Sequence, residues 1–238
     1  MSKPPAKGAA SKQRGTTRGL AVYVRTAKKR SVASAAWLKR QLNDPYVAAA
    51  QKQGFRSRAA FKLIEIDERF SLLRPGLRVI DLGAAPGGWS QVAVRQGAIA
   101  VGLDLLAIDP LPGATFLQGD FNDADMPARL LAALGAKADL VLSDMAPNST
   151  GHASTDHIRI VALAELAIDF ALRVLAPGGA FVAKVFQGGS ERQLLEPLKR
   201  HFATVRHAKP PASRKESSEL YVVATGFRDA QPAIPRAE

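Results

Sequence analysis

Between Leu77 and Phe227 the chain alternates short apolar runs with longer stretches of helical period, and this alternation leaves few folds open. Runs of strand length lie at Leu77–Leu82, Ala98–Leu103, Thr115–Leu117, Ala138–Ser143 and Ala180–Phe186. Helix-like segments fall near Trp89–Gln96, Pro127–Leu134, Asp156–Leu175 and Glu191–His201, the third stopped by Pro177-Gly178-Gly179. Strands joined through helical crossovers run parallel and carry helices on both faces of one sheet. Two last strand-like runs, Thr204–Ala208 and Leu220–Phe227, have no helix between them, so one of the pair is expected to run antiparallel. The expected class is α/β, with a seven-stranded, mostly parallel sheet.

The chain ahead of that region differs in kind. Residues 1–27 are rich in Lys, Arg, Gly, Ser, Thr and Ala without periodicity and are expected to be disordered, as is a flexible tail over 229–238. Short helical patterns around 34–42 and 45–53 precede a better helix, with Ser57 as candidate cap and Phe61, Leu63, Ile64 and Phe70 as an apolar face. Charge divides along the same line. Residues 1–40 hold eleven basic side chains and no acidic one, whereas residues 41–238 hold 22 basic against 21 acidic. All but one unit of the net +12 therefore sits on the arm, which points to a polyanionic partner.

Several classes are excluded. The chain has no cysteine, so disulfide frameworks, thiolate metal sites and cysteine nucleophiles fall away. The apolar stretch over Ala98–Ile108 is broken by Asp104 and is too short for a bilayer, and Leu20–Val24 is too short for a signal peptide. A cytoplasmic protein with no membrane partner is expected. His152, His157, His201 and His207 have no metal-ligand company, and no metal is expected.

The sharpest local signal is Asp81–Ser90, DLGAAPGGWS, directly after the first strand. Ligands of open α/β sheets bind beyond the carboxyl ends of the strands, and Gly83, Gly87 and Gly88 let a ligand approach the backbone. Ala85 stands where a dinucleotide fingerprint has its central glycine, which argues against a pyrophosphate grip. Asp104, after the second strand, is placed for ribose hydroxyls, and Asp120, in LQGDF, for an adenine amino group. An adenosine ligand without phosphates fits, and S-adenosyl-L-methionine is the obvious one.

The fourth strand runs into Ser143-Asp144-Met145-Ala146-Pro147-Asn148, which departs at Met145-Ala146 from the Asn/Asp-Pro-Pro-aromatic motif of amino-group methyltransferases. Lys184 lies inside the apolar fifth strand, where a lysine is costly unless paired. Glu219 precedes the last strand, and Lys62 sits on the helix before the first. Arg56 and Arg58, just ahead of that helix, are candidate phosphate contacts, and Lys209, Arg214 and Lys215 form a cationic loop beside Glu219.

The stretches KKRSVASAAWLKRQL, FRSRAAFKL, DLGAAPGGWSQ, LQGDF, SDMAPN, APGGAFVAKVFQG and SRKESSELYVVATG occur in unbroken order over about residues 28–228. In them the sequence resembles the FtsJ/RrmJ (RlmE) family of ribosomal RNA 2′-O-methyltransferases. The resemblance implies a Rossmann-like S-adenosylmethionine-dependent fold with an antiparallel last strand. It implies a catalytic tetrad of Lys62, Asp144, Lys184 and Glu219, and cofactor contacts at Gly87, Trp89, Asp104, Asp120 and Asp144. The implied substrate is a uridine in the A-loop of large-subunit (23S) rRNA, probed free or within the assembled or assembling 50S subunit, and the implied state is a monomer. The domain layout expected is a basic extension over 1–27, a basic RNA-binding segment over 28–56 and the methyltransferase domain over 57–228.

Methyl transfer from a sulfonium is an in-line displacement, so positioning the 2′ oxygen is the main demand, with Lys184 as base or orienter and Asp144 between it and the sulfonium. Rival readings are a tRNA or mRNA-cap 2′-O-methyltransferase and a non-catalytic ribosome-assembly factor. A cap enzyme needs an aromatic cleft, for which three Tyr and two Trp offer little material. A non-catalytic factor predicts a broken tetrad, and all four members are present.

Overall fold

The computed structural model describes residues 38–39, 41–147, 152–186 and 191–228. The chain divides into two compact units, Met1–Asp44 and Pro45–Glu238. In the first, the described residues close a helical turn in which the Asn43 side chain donates to the Lys39 carbonyl. The expected arm, tail and most of the 34–42 helix lie outside the described residues.

The second unit opens with helices α1 (Pro45–Gln53) and α2 (Ala60–Phe70). It continues β1 (Arg78–Leu82), α3 (Gly88–Arg95), β2 (Ile99–Asp104), β3 (Ala114–Gln118), α4 (Met126–Leu134), β4 (Ala138–Ser143) and α5 (Ala153–Val174). It ends with β5 (Leu175–Phe186), α6 (Glu191–His201), β6 (Phe202–Ala208) and β7 (Glu219–Phe227). The seven strands form one sheet in the order β3-β2-β1-β4-β5-β7-β6. The pairs along β3-β2-β1-β4-β5 are parallel, and β7 runs antiparallel to both β5 and β6. The last strand thus inserts between its two predecessors.

Period-2 alternation sorts the strand residues into two cores. Ile80, Leu82, Val141, Phe181 and Val222 pack with Met126, Leu130, Phe170 and Leu198 on the α4–α5–α6 face. Val79, Leu140, Leu142, Val182, Tyr221 and Val223 pack with Leu63, Ile66, Trp89 and Val92 on the α2–α3 face. With both faces covered, the central strands need no polar side, which is why they read as continuous apolar runs.

Pro177-Gly178-Gly179 does not end the long helix. That helix stops at Val174, and Leu175 already pairs with Ala138 at the start of β5. The register slips between Ala138 and Leu140, and the glycines sit at that slip. Gly178 has φ +82°, and a Cβ on Gly179 would lie 2.8 Å from the Ala176 carbonyl oxygen. Glycine here permits an irregular strand.

Helix α2 matters most for the site. Ala60, Lys62, Leu63 and Ile66 are its buried side, and it closes at Ser71, a left-handed residue whose amide bonds the Asp67 carbonyl. Asp67 Oδ1 then accepts from the amides of Leu72 and Leu73, both at 2.7 Å. Ser57 does not cap it: the N-cap residue is Ala59, and no side chain bonds the helix start.

Candidate active site

Strand order reverses between β1 and β4, and the loops leaving these two strands meet there, where α/β sheets bind ligands. The loop after β4 delivers Asp144, whose amide bonds the Leu82 carbonyl at the end of β1. Lys184 of β5 points to the α2–α3 face, one register step beyond buried Val182. Its Nζ donates to the Asp144 carbonyl oxygen at 2.7 Å and to Oδ1 at 2.9 Å. From the other side, Lys62 Nζ reaches Glu219 Oε2 at 2.9 Å and stands 3.7 Å from Asp144 Oδ2. The four residues singled out in the sequence therefore form one buried group of two cations and two anions.

A fifth member is Tyr221, whose signal was the two-residue spacing from Glu219 that puts both on one strand face. Its hydroxyl donates to Asp144 Oδ1 at 2.7 Å and accepts from Lys62 at 2.9 Å. Burial, with the charges of Asp144 and Glu219 beside it, pushes the phenol well above its usual range, so it stays a proton donor. Burial alone would raise the Asp144 carboxyl, but the charges of Lys184 and Lys62 and the Tyr221 bond outweigh it and hold the pKa below the usual value. Asp144 is therefore a fixed anion at neutral pH.

Asp144 also borders a small cleft with Ser57, Asp81, Gly83, Gly88 and Trp89. Gly83 has φ +73°, and a Cβ there would come within 3.0 Å of the Met145 backbone, so this turn packs directly on the Asp144 loop. Gly87, at φ +98°, starts α3. Trp89 is 3% exposed; its Nε1 donates to the Ala59 carbonyl at 2.8 Å, and its ring lies 5.6 Å from that of Tyr221. It forms the wall between cleft and ion group. Asp104, the last residue of β2, accepts from the amides of Ala85 and Leu106, both at 2.9 Å, which fixes its carboxylate at the loop. Asp120 is exposed and accepts from the Asn122 amide at 2.9 Å, two residues past β3.

On the floor, Asp81 is 1% exposed; Oδ2 accepts from Ser90 Oγ at 2.7 Å, while Oδ1 is buried without a hydrogen-bond partner. Ser57 Oγ is likewise buried and unpartnered.

The model of the FtsJ-like methyltransferase family matches residues 55–227, more than two thirds of the chain. The chain belongs to the FtsJ-like methyltransferase family. It is 73% identical over 212 residues to the ribosomal RNA large subunit methyltransferase E of Granulibacter bethesdensis, covering 89% of this chain and 92% of the relative. The protein of the same name from Gluconobacter oxydans is 66% identical over 214 residues, covering 90% and 80%. A crystal structure from Plasmodium falciparum, described as a ribosomal RNA methyltransferase, aligns with TM-score 0.65 at 30% identity over 73% of this chain and 98% of that one.

In this methyltransferase the two arginines ahead of α2 serve backbone oxygens, not an open phosphate site. Arg56 donates to the carbonyls of Pro86, Asp109 and Pro110 at 3.2, 2.7 and 2.7 Å, and Arg58 donates to the Ala212 carbonyl at 2.6 Å. Arg56 thereby ties the glycine turn to the loop beyond Asp104. Lys209 donates to the Ser217 carbonyl at 2.7 Å and closes its own loop.

Burial lifts the Asp81 carboxyl to about 7, against partial opposition from Ser90. A carboxyl whose folded pKa exceeds its unfolded value contributes stability that is fully present below the unfolded pKa. That contribution is lost as pH rises toward the folded one. Asp81→Asn is therefore expected to leave stability near wild type at pH 4. It should gain on wild type up to pH 7 and hold the gain above, by at most about 4 kcal/mol at roughly 1.36 kcal/mol per unit. Urea titrations of the ligand-free protein at pH 4.5, 6 and 8 measure this, and a gap that does not widen with pH would contradict it.

Proposed function

We propose that this methyltransferase transfers a methyl group from S-adenosylmethionine to the 2′-hydroxyl of a uridine in the A-loop of large-subunit rRNA, working in the cytoplasm on the assembled or assembling subunit. The observation that carries the reading is the convergence of Lys62, Asp144, Lys184, Glu219 and Tyr221 on one buried ion group that shares Asp144 with the glycine-lined cleft. The names of the relatives, at 73% and 66% identity across nine tenths of the chain, support an rRNA substrate.

The cleft residues suit the cofactor. The unpartnered Asp81 Oδ1 and Ser57 Oγ match an end that bears both an ammonium and a carboxylate. Asp104 has the position for ribose hydroxyls and Asp120 for an adenine amino group, while the Gly87 turn and Trp89 give it a close-fitting wall. When bound, the cofactor supplies an electrophilic methyl group on a sulfonium.

The rest falls to this chain. Lys184 is held by two bonds to Asp144, so its nitrogen has a fixed place from which, as the ammonium, to orient the ribose hydroxyl or, as the neutral amine, to take up its proton. Asp144 keeps its charge and balances Lys184, Lys62 balances Glu219, and Tyr221 locks the Asp144 carboxylate in rotation. Nearly all of this group lies out of water, where preset charges act strongly and need no rearrangement during the reaction. The basic segments over 1–27 and 28–56 would bring RNA to the site by phosphate attraction.

The test is transfer of labelled methyl to isolated large subunits, free rRNA and tRNA, with the product mapped. Label at an A-loop uridine ribose is expected, and label on tRNA alone would refute the substrate assignment. Run across salt on a chain lacking residues 1–27, the same assay should show a higher KM with a flatter salt dependence and kcat nearly intact.

A further inference from the structure

We infer that Ser213 is a positioning residue for Glu219, set in place by Arg58 and Glu65 through the backbone of Ala212; the inference rests on the methyl transfer proposed above. Neither Ser213 nor Glu65 stands out in the sequence, and neither touches the cleft. Ser213 is 3% exposed, and its Oγ donates to Glu219 Oε1 at 2.7 Å, on the carboxylate whose Oε2 takes Lys62. A hydroxyl this buried can hold that carboxylate only if its own backbone is fixed.

The backbone is fixed from α2. The Ala212 amide donates to Glu65 Oε2 at 2.6 Å, and the Ala212 carbonyl accepts from Arg58 at 2.6 Å, so the two peptide groups flanking this residue are both gripped. Arg58, Lys62 and Glu65 are four and three residues apart, which puts them along one side of the helix and its leading turn. The other Glu65 oxygen accepts from the Tyr46 hydroxyl at 2.9 Å, which keeps that carboxylate from turning away. The Ser213 amide bonds the Pro210 carbonyl at 2.8 Å and completes the turn. The same helix side that presents Lys62 thus also presents the loop that orients the acceptor of Lys62.

The arrangement decides how Lys62 is shared. Its ammonium lies 2.9 Å from Glu219 and 3.7 Å from Asp144. A Glu219 carboxylate freed from Ser213 can rotate, and Lys62 then moves toward Asp144 and competes with Lys184 for it. The cost falls on the reacting geometry, not on the binding of either substrate.

The experiment compares wild type, Ser213→Ala, Ser213→Cys and Arg58→Lys on the same large-subunit rRNA substrate, with rates per folded molecule from cofactor-binding stoichiometry. Ser213→Ala is expected to lower kcat roughly ten- to hundredfold, the scale of a lost bond to a charged group, with KM for cofactor and RNA within about twofold. Ser213→Cys, of nearly the same shape but a weak donor, should fall between the two. Arg58→Lys should lower kcat while leaving the salt slope of KM for RNA unchanged. A wild-type kcat in Ser213→Ala, or a loss that appears in KM and not in kcat, would overturn the inference, as would an Arg58→Lys whose only defect is a flatter salt slope. Failure of the wild type itself to methylate a ribose would instead refute the proposed function.

Discussion

Lys184→Ala is expected to reduce single-turnover methyl transfer by at least about a thousandfold while cofactor affinity stays within about threefold of wild type. Lys184 makes two bonds, both to Asp144, and contributes nothing to the glycine turn or to Asp104. Its loss therefore removes the group proposed to orient the ribose hydroxyl without dismantling the cleft. Asp144 keeps Tyr221 at 2.7 Å and Lys62 at 3.7 Å, so the buried anion is weakened in its pairing but not isolated. The stability cost should accordingly fall below the ~3–5 kcal/mol typical of a buried charge stripped of its partner. Rapid-quench assays on saturating RNA and cofactor, with thermal melts alongside, separate the two effects. A variant that turns over at the wild-type rate would remove Lys184 from the reaction.

Asp144→Asn should be the more damaging change to the fold. It leaves Lys184, 7% exposed in its side chain, without its carboxylate, and Lys62, 9% exposed, with Glu219 alone. We expect a loss of about 3–5 kcal/mol at pH 7, the range for a buried ion pair broken on one side, and activity below detection. The pH dependence fixes the cause. Asp144 has a folded pKa below its unfolded value, so its stabilisation is present above the unfolded value, near 4, and is lost as pH falls through the folded one. The stability gap between wild type and Asp144→Asn should be constant from pH 8 to 5 and narrow at pH 3. A gap that persists undiminished at pH 3 would mean that something other than this charge holds the group.

How legible was all this in the sequence? The strands were, because double-sided burial writes them as apolar runs; the order in which they pair was not, since nothing local tells β7 to enter between β5 and β6. Pro177-Gly178-Gly179 misleads for a related reason: a local breaker was weighed without the pairing of Leu175 with Ala138 that overrides it. Lys184 stands out because a lysine in an apolar strand demands a partner, whereas Lys62, Asp144 and Glu219 join it as a set only through the family resemblance. Tyr221 was not singled out; its spacing from Glu219 puts both on one strand face, and its hydroxyl bonds to Asp144 and Lys62 show its place in the group. Arg56 and Arg58 were open to misreading because a guanidinium binds carbonyl oxygens as readily as phosphate, and composition does not say which lies nearby.

The late insertion of β7 has a consequence for how the molecule is made. Glu219 and Tyr221 follow Lys62 by 157 and 159 positions, and they come into register with Phe186 and Lys184 only when β7 zips onto β5. Until then β5 presents a bare, apolar hydrogen-bonding edge, Lys62 lacks Glu219, and Asp144 lacks the Tyr221 hydroxyl. A nascent chain is thus expected to be inactive and adhesive until the nine residues of β7 have left the exit tunnel. A message truncated before codon 219 would yield a product fit for a chaperone or a protease and for nothing else.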